Sequence, residues 1–473
     1  MRKVIYLAIL LVVACTQPHY PGIDKPNYGG GTTLDRDIIS YIDKRLVEEY
    51  YWLDEVVQKS NSFNPNLKWS DYLNTTLSLL TTNTDDGYVN GKGQRVFYSY
   101  IREVASQTRA SVTGFGIGLH YTIATIDSEN GHYGFVIENV YPSSPAHEAG
   151  VLRGDVITMI GGSYINANNY NSRFLSIENN TATELTLTLR RQTDGQVYDV
   201  TLSKGTYHET PVVHSEVIEV DNTKIGYLVY TSFDAEYNED MINAISELNA
   251  AGATEFILDL RCNRGGSVSS AVKLCSALVP ATFEDKVLCH VERNAGNVKL
   301  DQSSDFCLEA TGQILSLDRL TVICSDYSAS ASELVIMGLR GLDFPVMLIG
   351  SQTEGKNCGM DVTRRTIGDI TVEYAPITFM CFNAKGYGDW GEGIVPDIDL
   401  KNDLNELGIS DKYYPLPRAD WGDLNYDTAL VAAVAKIMNR SVATRSTHSP
   451  QNSISASEIA MPQEVEGVRN YVD

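Results

Sequence analysis

Ser330 and Lys356 are the side chains in this sequence best placed to act as a nucleophile and its base. The serine lies in Ser328-Ala-Ser-Ala-Ser-Glu333 and the lysine in Thr353-Glu-Gly-Lys356, with one predicted helix and one predicted strand between them. A lysine in water titrates near about 10.4 and is a cation at neutral pH. Burial disfavours that charge and can lower the value by several units. A neutral amine could then take the proton of an attacking serine hydroxyl, and the resulting ammonium could protonate a leaving amine. Each residue also has a plainer reading. Serines ahead of helices are commonly N-caps, and a lysine after glycine is commonly a solvated loop charge.

The surrounding elements decide whether the pair can meet. Leu320 to Cys324 is an apolar, β-branched run that predicts a buried strand. From Ala331 onward Leu334, Val335, Gly338, Leu339 and Leu342 recur at helical spacing, and Val346 to Gly350 predicts another strand. Ser330 therefore precedes a helix whose free N–H groups and dipole favour a developing oxyanion. Upstream, Phe256-Ile-Leu-Asp-Leu-Arg-Cys-Asn-Arg-Gly-Gly266 reads as a strand entering a Gly-Gly turn, with a helix from about Ser267 to Leu278. Paired glycines permit a close backbone approach, so the N–H groups of Gly265 or Gly266, together with Ala331, are candidate oxyanion donors. A plain left-handed turn between strand and helix is the alternative.

Taken together, these segments resemble the C-terminal processing (tail-specific) proteases of the S41 peptidase family. Asp259 to Gly266 is similar to that family's Asp-Leu-Arg-x-Asn-x-Gly-Gly, Ser328 to Glu333 to its nucleophile segment, and Gly355-Lys356 to its Gly-Lys. Gly391-Glu-Gly-Ile-Val-Pro-Asp397 resembles its closing Gly-x-Gly-x-x-Pro-Asp, and the likeness runs in order from about residue 110 to 400. The resemblance implies Ser330 as nucleophile, Lys356 as general base, and an oxyanion held by Ala331 and Gly265 or Gly266. Two positions depart from the pattern. Met360 stands where many members carry a glutamine that orients the lysine, and a thioether accepts only weak hydrogen bonds. Arg264 replaces the frequent proline before Gly-Gly and puts a charge at the expected rim of the site. A Ser-Lys dyad, or a triad completed from elsewhere, is therefore the expectation.

A second module precedes this one. Gly114-Phe-Gly-Ile-Gly-Leu119, Ser144-Pro-Ala-His-Glu-Ala-Gly150 and Gly154-Asp-Val-Ile-Thr-Met-Ile-Gly161 occur in the order that resembles a PDZ domain of the same family. The resemblance implies that Gly116, Ile117, Gly118 and Leu119 form the loop that captures a terminal carboxylate. A peptide would add as a strand beside it.

The first residues speak to location. Arg2 and Lys3 precede an apolar run from Val4 to Val13 that is short for a membrane span and reads as a signal-peptide core. Val12-Val-Ala-Cys15 resembles a bacterial lipobox, which implies lipidation of Cys15. An uncleaved anchor or ordinary signal peptide is the alternative. The expected location is the bacterial cell envelope, lipid-anchored, facing the periplasm or in the outer membrane. The net charge of −23 argues against nucleic acid and anionic membrane surfaces as partners. The expected partners are protein or peptide substrates with free C-termini, and the membrane through the N-terminal lipid.

Apart from Cys15 the chain holds Cys262, Cys275, Cys289, Cys307, Cys324, Cys358 and Cys381, an odd set that cannot all pair internally. Cys289 and Cys307 flank a polar segment and could form a disulfide in an oxidising envelope. Cys262 and Cys358 lie on the two loops expected to meet at the site, where they could pair or stay free. No metal site or cofactor is expected, because no Cys/His cluster has zinc spacing and no His-Glu-x-x-His occurs. His290 is the sole histidine between residues 215 and 447, which favours lysine over histidine as the base.

The predicted organisation is a signal peptide (1–14), tether (15–34), N-terminal helical domain (35–110), PDZ domain (111–205), protease core (206–405), and a C-terminal helix with a polar, disordered tail (406–473). A helix is expected from Leu34 to Val57 and another from Asp427 to Met438. The fold class is α/β multidomain. Strands at 224–230, 255–260, 320–324 and 346–350 alternate with helices near 238–251, 267–278 and 331–342, which predicts βαβ crossovers. The family resemblance makes that core crotonase-like, with a hairpin around Ile367-Gly-Asp-Ile370. The expected function is a serine endopeptidase acting on envelope proteins selected by their tails. The rival is a catalytically silent PDZ adaptor lipoprotein, which Met360 and Arg264 keep open.

Overall fold

Leu320–Cys324 is buried at every position, as its apolar run requires, and lies inside the sheet that carries the site. The sheet order is Val212–Val220, Thr223–Tyr230, Glu255–Asp259, Leu320–Cys324, Val346–Gly350 and Ile398–Asp399. The first pair is antiparallel and the others are parallel. Side chains alternate between faces with the period of two that a strand imposes. Leu228, Leu258, Val322 and Leu348 pack on one side with residues of helices Asn238–Ala250, Val268–Leu278 and Ala331–Gly341. Ile257, Ile323 and Ile349 pack on the other with residues of helix Thr428–Ile437, which Asp427 caps through the Leu430 N–H (3.1 Å). The α/β core and its parallel crossovers thus match the expectation. The hairpin Thr363–Ile367 and Ile370–Ala375 is also present.

This computed structural model describes residues 31–90, 93–104, 112–178, 182–297, 303–310, 312–402, 416–439 and 455–456. The leader, the tether as far as residue 30, Cys15 and the tail beyond residue 439, apart from 455–456, lie outside the described residues. Among those described, no helix is long and apolar enough to cross a membrane.

The N-terminal region departs from the expectation twice. The single helix expected from Leu34 to Val57 is two, Thr33–Glu49 and Leu53–Lys59. Tyr50 turns extended between them, its hydroxyl donating to the buried Asp86 (2.7 Å), while Tyr51 N–H donates to Ile377 O (2.8 Å). Two tertiary bonds to this aromatic junction outweigh helix continuity. Nor is the region wholly helical. After Trp69–Leu77 come short strands, and Tyr100–Glu103 joins the hairpin at Ile370–Ala375. Ile38, Ile42, Leu46 and Tyr72 share one core with Cys358, Tyr374, Ile377 and Met380.

The PDZ-like module builds its own core from Phe115, Ile137, Ile157, Phe174 and Leu187. Ile117–Asp127 lies toward the edge of its sheet, pairing with His132–Val140 on one side and with Ser455–Ala456 on the other. The module meets the α/β core through buried charge. Arg153 donates to Glu138 Oε1 (3.0 Å) and Ala419 O (3.0 Å), and its guanidinium stacks on Trp421 (3.6 Å to the ring centre). Asp427 sits beyond, bonded to Arg261 (3.0 Å), which also clasps Asp259 (2.9 Å). Burying such charges is costly unless each is paired, and here they form one chain across the junction.

All seven described cysteines are free. The Cys289–Cys307 bridge that the sequence allows is not made. Their segments are antiparallel strands, with Cys289 opposite Phe306 and Cys307 opposite Val287 across a bulge. Cys289 is buried and Cys307 exposed, so the two thiols face opposite ways. Cys262 and Cys358 do not pair either, their thiols being turned to Glu138 Oε1 (3.3 Å) and Asp85 O (3.3 Å).

Candidate active site

The three serines of Ser328 to Ser332 are distinguished by what their hydroxyls touch. Ser328 Oγ donates to Leu260 O (2.8 Å) and Ser332 Oγ to Asn263 O (2.9 Å), and both residues are fully buried. These two bonds staple the turn before the helix to the Asp259–Gly266 segment. Ser330 lies between them and lines a cavity of about 1300 Å³. Its backbone is held at φ 56°, ψ −114°. A non-glycine residue in so sparse a region is strained, a cost of about 1–3 kcal/mol that a sharp turn presenting a nucleophile commonly bears.

Glu333, one helical turn on, ties the serine to the lysine loop. The residue is fully buried. Its Oε2 accepts from Ser330 N and Lys356 N (2.8 Å each), and its Oε1 from Gly355 N (2.8 Å) and the Thr353 hydroxyl (2.6 Å). Ser330 and Lys356 are therefore within two hydrogen-bond lengths of each other along the backbone. Burial pushes the Glu333 carboxyl up to about 7, against the pull of these four donors. The sequence motif contained this glutamate, but only the tertiary structure brings Gly355 and Lys356 to its oxygens.

Lys356 keeps some exposure along the cavity wall, yet its amine is enclosed by protein. Burial holds its pKa below the ordinary lysine value. The nitrogen lies 5.0 Å from the centre of the Tyr98 ring and has no ion-pair partner among the described residues. Met360, at the end of strand Cys358–Met360, lines the same cavity and packs against the N-terminal core.

The glycine pair divides its labour. Gly265 N–H donates to Asn263 Oδ1 (2.8 Å), so it is not free for an oxyanion and the expectation for that group is corrected. Gly265 instead permits close approach: at φ 106°, a Cβ there would lie 2.7 Å from Ser330 Cβ and 2.9 Å from Ala331 N. The N–H groups of Gly266 and Ala331 find no acceptor among the described residues, and both residues border the cavity. Asn263 is completely buried, its amide donating to Tyr230 O (2.9 Å). Nothing in the sequence motif distinguished Gly265 from Gly266; the Asn263 side chain does.

Arg264 is not a loose rim charge. It forms an ion pair with Glu354 and stacks over Tyr327 (4.7 Å), linking the Gly-Gly loop to the lysine loop. His290 faces Asp305 (2.6 Å) and does not line the cavity. His120 of the PDZ-like module does line it, turned toward Glu138 (3.4 Å). Gly118 and Leu119 border the same cavity as Ser330 and Lys356. Gly116 holds φ 77° at the start of that loop, where a Cβ would overlap Ser144. Among the described residues no acidic, cysteine or histidine cluster is arranged to hold a metal.

Comparison with known proteins agrees with this architecture. Residues 224–400 match the model of peptidase family S41 and residues 136–191 that of the PDZ domain. The chain carries a peptidase family S41 domain and a PDZ domain. It is similar to the Probable CtpA-like serine protease of Staphylococcus aureus (strain COL), 25% identical over 257 residues, which cover 54% of this chain and 48% of that protein. Its counterpart in Staphylococcus saprophyticus is 24% identical over 258 residues, 54% and 49% of the two chains. The chain thus spans about half the length of the curated relatives it matches. A crystal structure of a Bacteroides fragilis NCTC 9343 protein assigned to the S41 proteases superposes with a TM-score of 0.65 at 23% identity. That match covers 88% of this chain and 99% of the other, and it establishes a shared fold.

Proposed function

We propose that the chain is a serine endopeptidase whose nucleophile is Ser330 and whose general base is Lys356. The observation that carries this reading is the strained Ser330 elbow facing one cavity with an enclosed lysine and two uncommitted N–H groups. Neutral Lys356 takes the proton of Ser330 Oγ as that oxygen attacks a peptide carbonyl. The N–H groups of Gly266 and Ala331 stabilise the oxyanion in a partly water-excluded site. The lysine ammonium then protonates the leaving amine, and water releases the acyl group by the same base. Glu333 positions both partners without touching substrate.

The substrates under this reading are proteins of the bacterial envelope, chosen by their C-terminal tails through the PDZ domain, with Cys15 carrying a lipid anchor. The shared cavity supports delivery of a PDZ-bound chain to the serine. Cleavage of an unstructured protein with an apolar C-terminal tail tests the reading, comparing wild type with Ser330→Ala and Lys356→Ala. Cleavage by wild type alone is expected. Tail binding with equal inertness of all three proteins would favour a silent adaptor instead.

A further inference from the structure

The loop assigned to carboxylate capture already holds a carboxylate of its own chain. Leu119 N–H donates to Glu178 Oε1 (2.9 Å), and Glu178 is the last residue of helix Tyr170–Glu178, which packs beside strand Ile117–Asp127. Near the loop, the Tyr207 hydroxyl donates to Glu209 Oε1 (3.0 Å), and Glu209 borders the same cavity as Leu119 and Glu178. One of the loop's amides is thus committed internally to a carboxylate, with a second carboxylate nearby. Farther along the same strand, Thr125 and Ala124 pair with Ser455 and Ala456. That edge accepts strand addition there, whereas at Leu119 the partner is a side chain.

We infer that Glu178 is an internal ligand of the PDZ loop, standing where a peptide's terminal carboxylate would bind and setting which tails the domain accepts. The inference rests on the tail-selecting role proposed above. An incoming C-terminal carboxylate must break the Glu178–Leu119 bond and enter a site already bordered by Glu178 and Glu209. An amidated terminus or an internal segment carries no charge into that field, and can add along the strand edge through backbone bonds alone. In wild type, a free terminal carboxylate therefore confers little advantage over an amide. Burial, with a smaller push from Glu209, raises the Glu178 carboxyl to about 7.

The test measures binding of a labelled ten-residue peptide ending in valine, as free acid and as C-terminal amide, to the full chain in a Ser330→Ala background. Wild type at position 178 should bind the two forms within about threefold. Glu178→Gln, nearly isosteric, and Glu178→Ala should tighten the free acid about tenfold or more, with the amide unchanged, as one charge-assisted bond and a repulsion are removed. Melting temperatures of the variants establish that the domain stays folded. A tenfold preference of wild type for the free acid, kept in Glu178→Gln, would overturn the inference and leave tail selection standing. Absence of binding by either peptide to any variant would overturn tail selection and this inference together.

Discussion

Replacing Glu333 by glutamine probes the linkage between nucleophile and base most directly. The substitution keeps volume but exchanges one carboxylate oxygen for an NH2 group, so two of four donors lose their acceptor. If the amide oxygen stays on Gly355 and Thr353, the N–H groups of Ser330 and Lys356 face another donor. A buried donor left unsatisfied costs about 1–3 kcal/mol, so the two together amount to about 2–6 kcal/mol against the native arrangement. Relaxation relieves part of that by moving the serine turn away from the lysine loop. A displacement near 1 Å at reacting groups costs about a hundredfold in rate, equivalent to about 2.7 kcal/mol of barrier. Steady-state cleavage of a quenched peptide should therefore show kcat lowered about a hundredfold with KM little changed, alongside a lowered melting temperature. The pH profile adds a readout that a merely structural role would not move. The ionised carboxylate is the form that accepts four bonds, and burial pushes its pKa up to about 7. Wild-type activity should drop as pH falls through that value, and the glutamine variant should lack this break. A folded Glu333→Gln protein with kcat within threefold of wild type would refute the positioning argument.

Three further outcomes rest on the same geometry. Because burial lowers the Lys356 pKa and only the neutral amine can act as base, kcat/KM should rise with pH through an apparent pKa below the ordinary lysine value of about 10.4. Lys356→Arg, which cannot lose its proton, should cut kcat by about 10²–10⁴-fold, and a rising limb at the ordinary lysine value would contradict the enclosed amine. Gly265→Ala would place a methyl 2.7 Å from Ser330 Cβ on a backbone at φ 106°. It should lower stability by about 1–3 kcal/mol in chemical denaturation and reduce kcat, and a neutral effect on both would show that the loop has room to move.

Much of the α/β core was legible because its strands and helices are written in local periodicity. Leu320–Cys324 could bury both faces only in a sheet interior, and the apolar spacing from Leu334 to Leu342 could only describe a helix. The break at Tyr50 was not legible. The helical pattern continues through it, and the groups that end the helix, Asp86 and the Ile377 carbonyl, come from distant segments. Whether Cys289 and Cys307 pair was not legible for a similar reason. Spacing along the chain carries no information about which face of a bulged hairpin each thiol occupies.

At the site, the motif order by itself determined which segments matter: the serine turn, the Gly-Gly turn, the Gly-Lys loop and a PDZ module upstream. Their residue types dictated what chemistry was available, since hydroxyl, amine and paired glycines are properties of single residues. Which serine is presented, which glycine amide is committed, and what holds the lysine were decided only by the tertiary structure. Ser328 and Ser332 are taken by Leu260 and Asn263, Gly265 by the Asn263 side chain, and the Lys356 loop by Glu333. Each of those decisions is a hydrogen bond whose partner depends on how sheet, helix and loop pack. Hydrogen bonds act over about 3 Å in space, whatever the separation along the chain.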